Sequence, residues 1–431
     1  MTNSLASIAD RWKQILGPLG WGTLLVFLVA RSFDVISILT RWYTGSHLSA
    51  IDYGAVDPVI SVITFFCLPI NVLLQISVKS ISRLNSLGLE PKAKTLVLDM
   101  LRLALIGSGL AVIIVFLLKG VILERLHLDG AMYAGIIAGL FVLMWWHSLL
   151  IAVYQGRTNY TLIFSSSILP AALILGFTVI LISWAGMDLK GALVARLIGY
   201  SLSVLFFMPG VVKSISGLRE SYDNEFVIMK QMLIPMSIYL LSAALLSNFD
   251  KLIVRNFLLA DSGGYGAILT IGSIPMSIMG AIVFVVFPLA SAEHASGQDL
   301  KRFFMQSLIL GGIVTLICVV VFGVLAAPVM RMWNVEFAPY ARFVWIYALV
   351  AGLHGLIQII ASVEMARHRY SFLWLMLAPA LLMCGTLLHC AWHSSLTISR
   401  VFGILVATHV FIFAGMSAYS FYGGKNSCRL K

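Results

Sequence analysis

Ionisable side chains inside long apolar runs are the residues of this sequence best placed to do chemistry. Arg31 and Asp34 stand three residues apart in the first run, and Asp250, Lys251 and Arg255 stand within a later one. Residues three or four apart share one face of a helix. An ion at the centre of a bilayer costs about 2.5–3.5 kcal/mol on insertion scales, so it needs a partner, water or a task. These five side chains are therefore the first candidates for contact with a substrate.

The two runs together carry one more positive than negative charge, which favours a binding site for an anion. Arginine matches phosphate through its rigid fork, and lysine supplies a point charge. A second interpretation is structural, because Arg31 with Asp34 and Asp250 with Arg255 would form pairs that fasten helices. Lys251 has no obvious local partner in the sequence, so the functional interpretation is favoured for Arg31 and Lys251.

Four further polar residues lie in other apolar runs and form a second group of candidates. Arg102 and Arg196 would add positive charge to a cavity, or would extend their side chains to the membrane surface. Asn71 and Gln75 lie one helical turn apart. They would line a cavity or form hydrogen bonds between helices.

Aromatic and histidine side chains form a third group. Trp145, Trp146 and His147 stand in the middle of a run, where tryptophan rings would stack on sugars or pack against neighbouring helices. His147 and His354 occupy equivalent places in the two halves of the chain. A titrating histidine couples proton movement, whereas a neutral one with a hydrogen-bond partner is structural. No catalytic or metal-binding residues are predicted, because nucleotide, hydrolase and zinc motifs are absent.

Composition identifies the environment in which these residues work. Of 431 residues, 60% are apolar and only 11% carry a full charge, whereas soluble domains have about 25% charged residues. The mean hydropathy is +0.98. A soluble enzyme, a disordered chain and a nucleic-acid-binding domain are excluded. The net charge of +11 fits loops that contact anionic lipid, so a multi-pass membrane protein is predicted.

Apolar runs of about 20 residues predict twelve membrane-spanning helices. They lie near residues 19–42, 54–78, 96–118, 131–153, 161–183, 191–211, 232–258, 266–290, 304–327, 340–363, 371–392 and 400–422. With these spans, 17 Lys and Arg residues lie on the side of both termini and four on the opposite side. The positive-inside rule therefore places both termini in the cytoplasm.

A duplication with an offset of about 210 residues divides the chain into two halves. Phe33-Asp34 is echoed by Phe249-Asp250, and Tyr53-Gly54-Ala55 by Tyr265-Gly266-Ala267. Two six-helix lobes related by a pseudo-twofold along the membrane normal are expected, with a cavity between them that opens to each side in turn. The predicted segments are an interfacial segment 1–18, lobes 19–211 and 232–422, a linker 212–231 and a basic tail 423–431.

Several short motifs resemble those of the polysaccharide exporters, or Wzx-type flippases, of the multidrug/oligosaccharidyl-lipid/polysaccharide (MOP) superfamily. In the second half they are Asn248-Phe249-Asp250-Lys251, Gly264-Tyr265-Gly266, Pro275 and Phe287-Pro288-Leu289-Ala290-Ser291; in the first half they are Phe33-Asp34 and Gln155-Gly156-Arg157. The likeness extends over nearly the whole chain in span number and two-lobed plan.

This resemblance implies a flippase of the bacterial inner membrane that moves a polyprenyl-diphosphate-linked oligosaccharide for surface polysaccharide synthesis. Its partners would be membrane lipid, the lipid-linked glycan, and a polysaccharide polymerase or glycosyltransferases, with no nucleic acid. No cofactor is implied beyond coupling to a proton or sodium gradient. The alternatives are a cation-coupled multidrug antiporter of the same superfamily, a major-facilitator carrier, and a non-transporting scaffold for glycosyltransferases. A scaffold would have a cavity sealed by apolar side chains.

Overall fold

A computed structural model describes residues 32–157, 159–215, 217, 220, 223–280, 282–283, 300–367 and 369–422. All regular secondary structure in these residues is helical. The first half contains a helix at 32–47 (α1), followed by seven helical segments. They are α2 (Ala50–Ser86), α3 (Glu90–Leu117), the short α4 (Lys119–Leu126), α5 (Met132–Gly156), α6 (Tyr160–Val179) with a π-helical extension Ile180–Trp184, and α7 (Leu189–Ser214).

The second half repeats this pattern with more interruptions. Its helices are α8 (Asp223–Phe257), α9 (Ser262–Gly272), α10 (described at 274–280), α11 (Leu300–Trp333), α12 (Val344–Ala366), α13 (Leu373–Trp392) and α14 (Ile398–Tyr422). Two 3-10 segments, Leu259–Asp261 and Val335–Phe343, precede α9 and α12. The turns next to these segments lie at what we call the outer end of the bundle, the end opposite the predicted cytoplasmic side.

Ten helices in the described part of the chain are long and apolar enough to cross a membrane. They match ten of the twelve predicted spans, which confirms an all-helical, multi-pass membrane fold. The first and eighth predicted spans are described only in part, at 32–42 and at 266–280 with 282–283. The terminal segments 1–18 and 423–431 lie outside the described residues, and the bounds of the predicted lobes and linker stay predictions.

Each half of the chain builds its own hydrophobic core. One cluster consists of first-half side chains such as Ile63, Ile137 and Leu149. The other is dominated by second-half side chains such as Ile357 and Phe402. Most of the packing therefore lies within each half, although Leu48, Tyr53 and Ala192 of the first half also pack in the second core.

The outward surface of the bundle is apolar. Leu117 and Val324, on α3 and α11, expose 78% and 71% of their surface. Such side chains would be an aggregation hazard in water, but they are the expected contacts of lipid chains. Trp184 and Trp392 are exposed at the outer ends of two helices. Tryptophan prefers this position because its ring suits the membrane–water interface.

Candidate functional site

A cavity of about 690 Å³ lies between the two halves. The first half lines it with α1, α2, α5, α6 and α7, and the second half with α8, α9, α10 and α12. Lys251 lies six residues before the outer end of α8, which is about 9 Å at ~1.5 Å per residue. The charged part of the cavity is therefore inside the membrane, in its outer half.

Five charged side chains line this cavity in the described part of the chain: Asp34, Arg41, Asp57, Arg196 and Lys251. Three are cations and two are carboxylates, so the lining keeps the positive excess predicted from sequence, although with a different set of residues. Because an uncompensated charge away from water is costly, a lining with excess positive charge favours an anion over a cation.

Arg41 and Asp57 form an ion pair across the turn between α1 and α2. The helices run antiparallel and are joined by residues 48 and 49, so side chains at similar distances from the turn face each other. Arg41 Nη1 lies 3.0 Å from Asp57 Oδ2. The same nitrogen donates a hydrogen bond of 3.3 Å to Thr270 Oγ1 on α9. The pair therefore also links the two halves.

Arg196 and Lys251 are the unpaired cations of the cavity. Arg196 Nη1 donates to the carbonyl of Ala192 in its own helix at 2.7 Å. Lys251 Nζ donates to Asn248 Oδ1 at 3.0 Å, and Ser61 Oγ donates to the same oxygen at 3.2 Å. No carboxylate of the described residues forms an ion pair with either side chain. Both cations therefore keep donors available for an anion.

The structure brings four of the predicted residues to the cavity: Asp34, Arg196, Lys251 and His147. His147 Nε2 lies 2.8 Å from the carbonyl oxygen of Ser166, so this ring also has a structural partner. Arg31 lies outside the described residues. The role of these residues in substrate binding stays a prediction.

Asp250 and Arg255 do not line the described cavity, and the ion pair expected between them is absent from the described residues. Each nevertheless fastens helices, as the structural interpretation expected. Asp250 directly precedes Lys251, so the two side chains point to different faces of α8. Its carboxylate is buried and accepts a hydrogen bond from the Tyr265 hydroxyl. Asp250 thus joins α8 to α9 inside the second half.

Arg255 links the two halves of the chain through hydrogen bonds. Its side chain is only 1% exposed and lies one turn closer to the outer end than Lys251. It donates to the carbonyls of Leu126 at 2.8 Å and Ile51 at 2.6 Å in the first half. It also donates to Ser262 Oγ at 3.2 Å and to the carbonyl of His127 at 3.4 Å.

The remaining arginine and tryptophan candidates lie away from the described cavity. Arg102 is 67% exposed on α3 and pairs with Asp99 at 3.0 Å. Trp146 donates to Ser108 Oγ at 3.0 Å. A Cβ added at Gly107 would lie 2.1 Å from the Trp145 ring, so this tryptophan fills a notch between helices. These contacts fit the packing interpretation for both tryptophans.

The other three candidates do not line the described cavity themselves. His354 is buried in the second half, with its ring centroid 5.5 Å from that of His409. Its Nε2 lies 3.4 Å from the hydroxyl oxygen of Ser247, which does line the cavity. Asn71 is half-buried on α2, and Gln75, one turn along, is exposed.

Arg41 and Asp57 were not among the predicted site residues. A signal for Asp57 was present, since it lies within the second predicted span, where an ionisable residue is a functional candidate by default. Arg41 lies at the edge of the first predicted span, and nothing in the sequence distinguishes it from an arginine at the membrane surface.

The outer end of the molecule is closed by contacts between the halves. The Trp42 and Trp333 rings stack with centroids 5.3 Å apart, and Trp333 Nε1 donates to the carbonyl of Trp42 at 2.8 Å. The Tyr53 and Thr270 hydroxyls lie 3.0 Å apart. Between pairs of described residues, the hydrogen bonds that join the halves lie in this outer part, except the bond from Ser61 to Asn248, which lies one turn deeper than Lys251. The cavity is therefore shut on the outer side.

Two glycines allow the halves to approach this closely. A Cβ at Gly263 would lie 2.1 Å from the carbonyl oxygen of Ala50, and one at Gly54 would lie 2.2 Å from Ser262 Oγ. Real Cβ atoms do not come so near to other heavy atoms. The closed outer end therefore requires the absence of side chains at these positions.

Replacing Gly263 by leucine is expected to prevent the outer end from closing. A cysteine placed at Ser273, in the cavity wall, would then react from outside with a membrane-impermeant maleimide; Cys390 is replaced by serine to remove a half-buried native thiol. The matched control is Gly385→Leu, where a Cβ would meet no atom. If the Gly263→Leu protein is labelled no faster than the Gly385→Leu control, the close contact at Gly263 is not required for closure of the outer end.

No protein-family profile matches the sequence, and no curated protein matches it significantly. Solved structures do match it. An inward-facing multidrug resistance MATE family transporter of the MOP superfamily gives a TM-score of 0.72 at 13% identity, covering 93% of this chain and 99% of that one. An outward-facing MATE structure gives 0.67 at 13% identity, covering 98% and 99%.

A mutant of the Vibrio cholerae MATE transporter VcmN is also similar, with a TM-score of 0.66 at 15% identity and 98% coverage of both chains. Of the inward- and outward-facing structures, the inward-facing one gives the higher score, in agreement with the closed outer end seen here. At these identities the likeness concerns the fold. The chain has the twelve-helix, two-lobed fold of the MATE transporters of the MOP superfamily.

Proposed function

We propose that this chain is a membrane transporter that works by alternating access. The observation that supports the proposal is a charged cavity between the two halves of the chain. The cavity is closed at its outer end by contacts that Gly54 and Gly263 make possible. Solved structures of this fold include inward-facing and outward-facing forms. Rocking the two halves would break the outer contacts and expose the same cavity to the other side.

The lining of the cavity favours an anionic cargo. Its three cations exceed its two carboxylates, and Arg196 and Lys251 have no ion-pair partner among the described residues. A volume of about 690 Å³ lies in the usual range for a bound organic group. We infer a polyprenyl-diphosphate-linked oligosaccharide: its head group would enter the cavity and its tail would stay in lipid. The bacterial inner membrane and polysaccharide-synthesising partners belong to this proposal.

The second candidate is a cation-coupled multidrug antiporter, and the solved structures favour it over the flippase because they are multidrug MATE transporters. In this case Asp34 and Asp57 would be the important groups, since a carboxylate in the cavity attracts an organic cation or a coupling ion. The charged lining speaks against the third candidate, a scaffold with an apolar, sealed centre.

Proteoliposomes containing the purified protein separate the two cargos. We expect a fluorescent polyprenyl-diphosphate sugar to move between leaflets faster than in protein-free vesicles, and Arg102→Ala, which changes an exposed arginine on α3, to behave as wild type. Uptake of ethidium driven by a proton or sodium gradient, without movement of the lipid, would establish the antiporter instead. No movement of either cargo under any gradient would contradict a transport function.

A further inference from the structure

We propose that the carboxylate of Asp57 competes with the transported anion for Arg41. It forms an ion pair with Arg41 while the cavity is empty, and a diphosphate displaces it from Arg41 on binding. This inference rests on the proposed anionic cargo and deepens it. It assigns the binding site to Arg41, Arg196 and Lys251, on α1, α7 and α8, and it makes Asp57 the residue that sets selectivity.

The ion pair is accessible from the cavity. The side chains of Arg41 and Asp57 are 35% and 15% exposed, and both line the cavity wall. An ion pair sealed in a protein core meets no other charged group that could replace one of its members. This pair faces the space in which a cargo would lie. An entering phosphate oxygen can therefore take the place of the carboxylate oxygen without passing through a packed core.

Arg41 would not lose its position when the carboxylate leaves. Its Nη1 also donates to Thr270 Oγ1, whose own hydroxyl donates to the Gly266 carbonyl at 2.9 Å. The guanidinium has five donors in a planar fork, so a phosphate can bind while the threonine contact remains. The carboxylate of Asp57 has no comparable second partner among the described residues, where it bonds to Arg41.

The number of charges explains the expected selectivity. With Asp57 bound to Arg41, the rest of the lining contains Arg196, Lys251 and the carboxylate of Asp34, a net charge of +1. Arg196 and Lys251 can therefore hold a singly charged anion without disturbing the Arg41–Asp57 pair. A diphosphate has a second negative charge, for which Arg41 is the remaining cation of the lining, so it competes with Asp57. The carboxylate then limits affinity, which helps the cargo to leave again after the halves have rocked.

The test measures binding of farnesyl diphosphate, farnesyl monophosphate and inorganic pyrophosphate to the full-length protein in detergent. We expect Asp57→Asn to bind farnesyl diphosphate at least about tenfold more tightly than wild type, because a competing charge has been removed. The gain should shrink as salt rises. Asp57→Glu keeps the charge and should stay close to wild type. Asp99→Asn, which removes the carboxylate of the exposed pair on α3, is the matched control.

The outcomes separate this inference from the proposed function. If wild type binds and transports the diphosphate but Asp57→Asn binds it no more tightly, Asp57 is a structural partner and the inference fails alone. If neither protein binds any diphosphate, the anionic cargo itself is wrong. Tighter binding of inorganic pyrophosphate with no gain for the farnesyl compound would show a free-anion site in place of a lipid-linked one. A low melting temperature would show that Asp57→Asn folds poorly. In that case farnesyl diphosphate binding is compared between wild type and Asp57→Ser, which also lacks the carboxylate.

Discussion

Replacing Arg255 by alanine is expected to open the outer end of the molecule and to lower its stability strongly. The guanidinium is buried and donates to three main-chain carbonyls of the first half and to Ser262. Hydrogen bonds from a charged donor contribute about 1.5–3 kcal/mol each, and each buried acceptor left unsatisfied costs about 1–3 kcal/mol. A loss of at least about 3 kcal/mol in unfolding free energy is therefore expected.

Thermal unfolding in detergent measures the stability, and the cysteine at Ser273 reports the opening through its reaction with maleimide from outside. Arg255→Lys should recover part of the stability but not the closure, because an ammonium cannot span the carbonyls of two segments and the Ser262 hydroxyl at once. Arg342→Ala is the control, since Arg342 is exposed at the same end of the bundle. Wild-type stability and labelling in Arg255→Ala would show that the outer end closes without this arginine.

The fold was predictable because a membrane simplifies the problem. A span must be apolar over about 20 residues, and the charges of the loops alternate between the two sides. The predicted span 371–392 matches Leu373–Trp392 almost residue for residue. The predicted span 54–78 corresponds to Ala50–Ser86, which is longer at both ends, because a helix that leaves the membrane continues without an apolar signal.

The site was predictable only in its chemical type. The sequence indicates which ionisable residues lie at membrane depth, but it indicates the rotation of a helix about its axis only through the pattern of polar neighbours. On α8, Ser247, Asn248 and Lys251 share one face, so a signal for the cavity face was present, but it did not exclude Asp250 on the next face. The hydrogen bond between Asp250 and Tyr265 places Asp250 inside the second half, while Lys251 lines the cavity.

The position of Arg255 was likewise not predictable from the sequence. Its spacing from Lys251 predicts a shared face, and this prediction is reasonable for a straight helix. One turn of helix nevertheless moves a side chain about 5.4 Å along the axis, which is enough to take it from the cavity to the closed outer end. The carbonyls that surround Arg255 belong to residues more than 100 positions away from it in the sequence, so no local sequence pattern predicts these contacts.

The double replacement Arg196→Ala with Lys251→Ala is expected to reduce transport of a diphosphate-linked lipid by at least about 100-fold, since close charge pairs at binding sites couple by several kcal/mol. The fold should survive, because neither side chain forms an ion pair with a described residue and each donates one hydrogen bond within its own helix. Flux in proteoliposomes measures the effect. Arg102→Ala with Lys119→Ala removes two exposed cations and should leave the flux unchanged.

The same double variant gives an effect of opposite sign for the second candidate function. A cavity that loses two positive charges repels an organic cation less, so an antiporter would take up ethidium faster than wild type. A flippase for a diphosphate lipid would lose its flux and gain no dye transport. The sign of the change, measured on both cargos with protein levels matched, therefore identifies the charge of the cargo, and an unchanged flux of both would show that the cavity charges do not contact it.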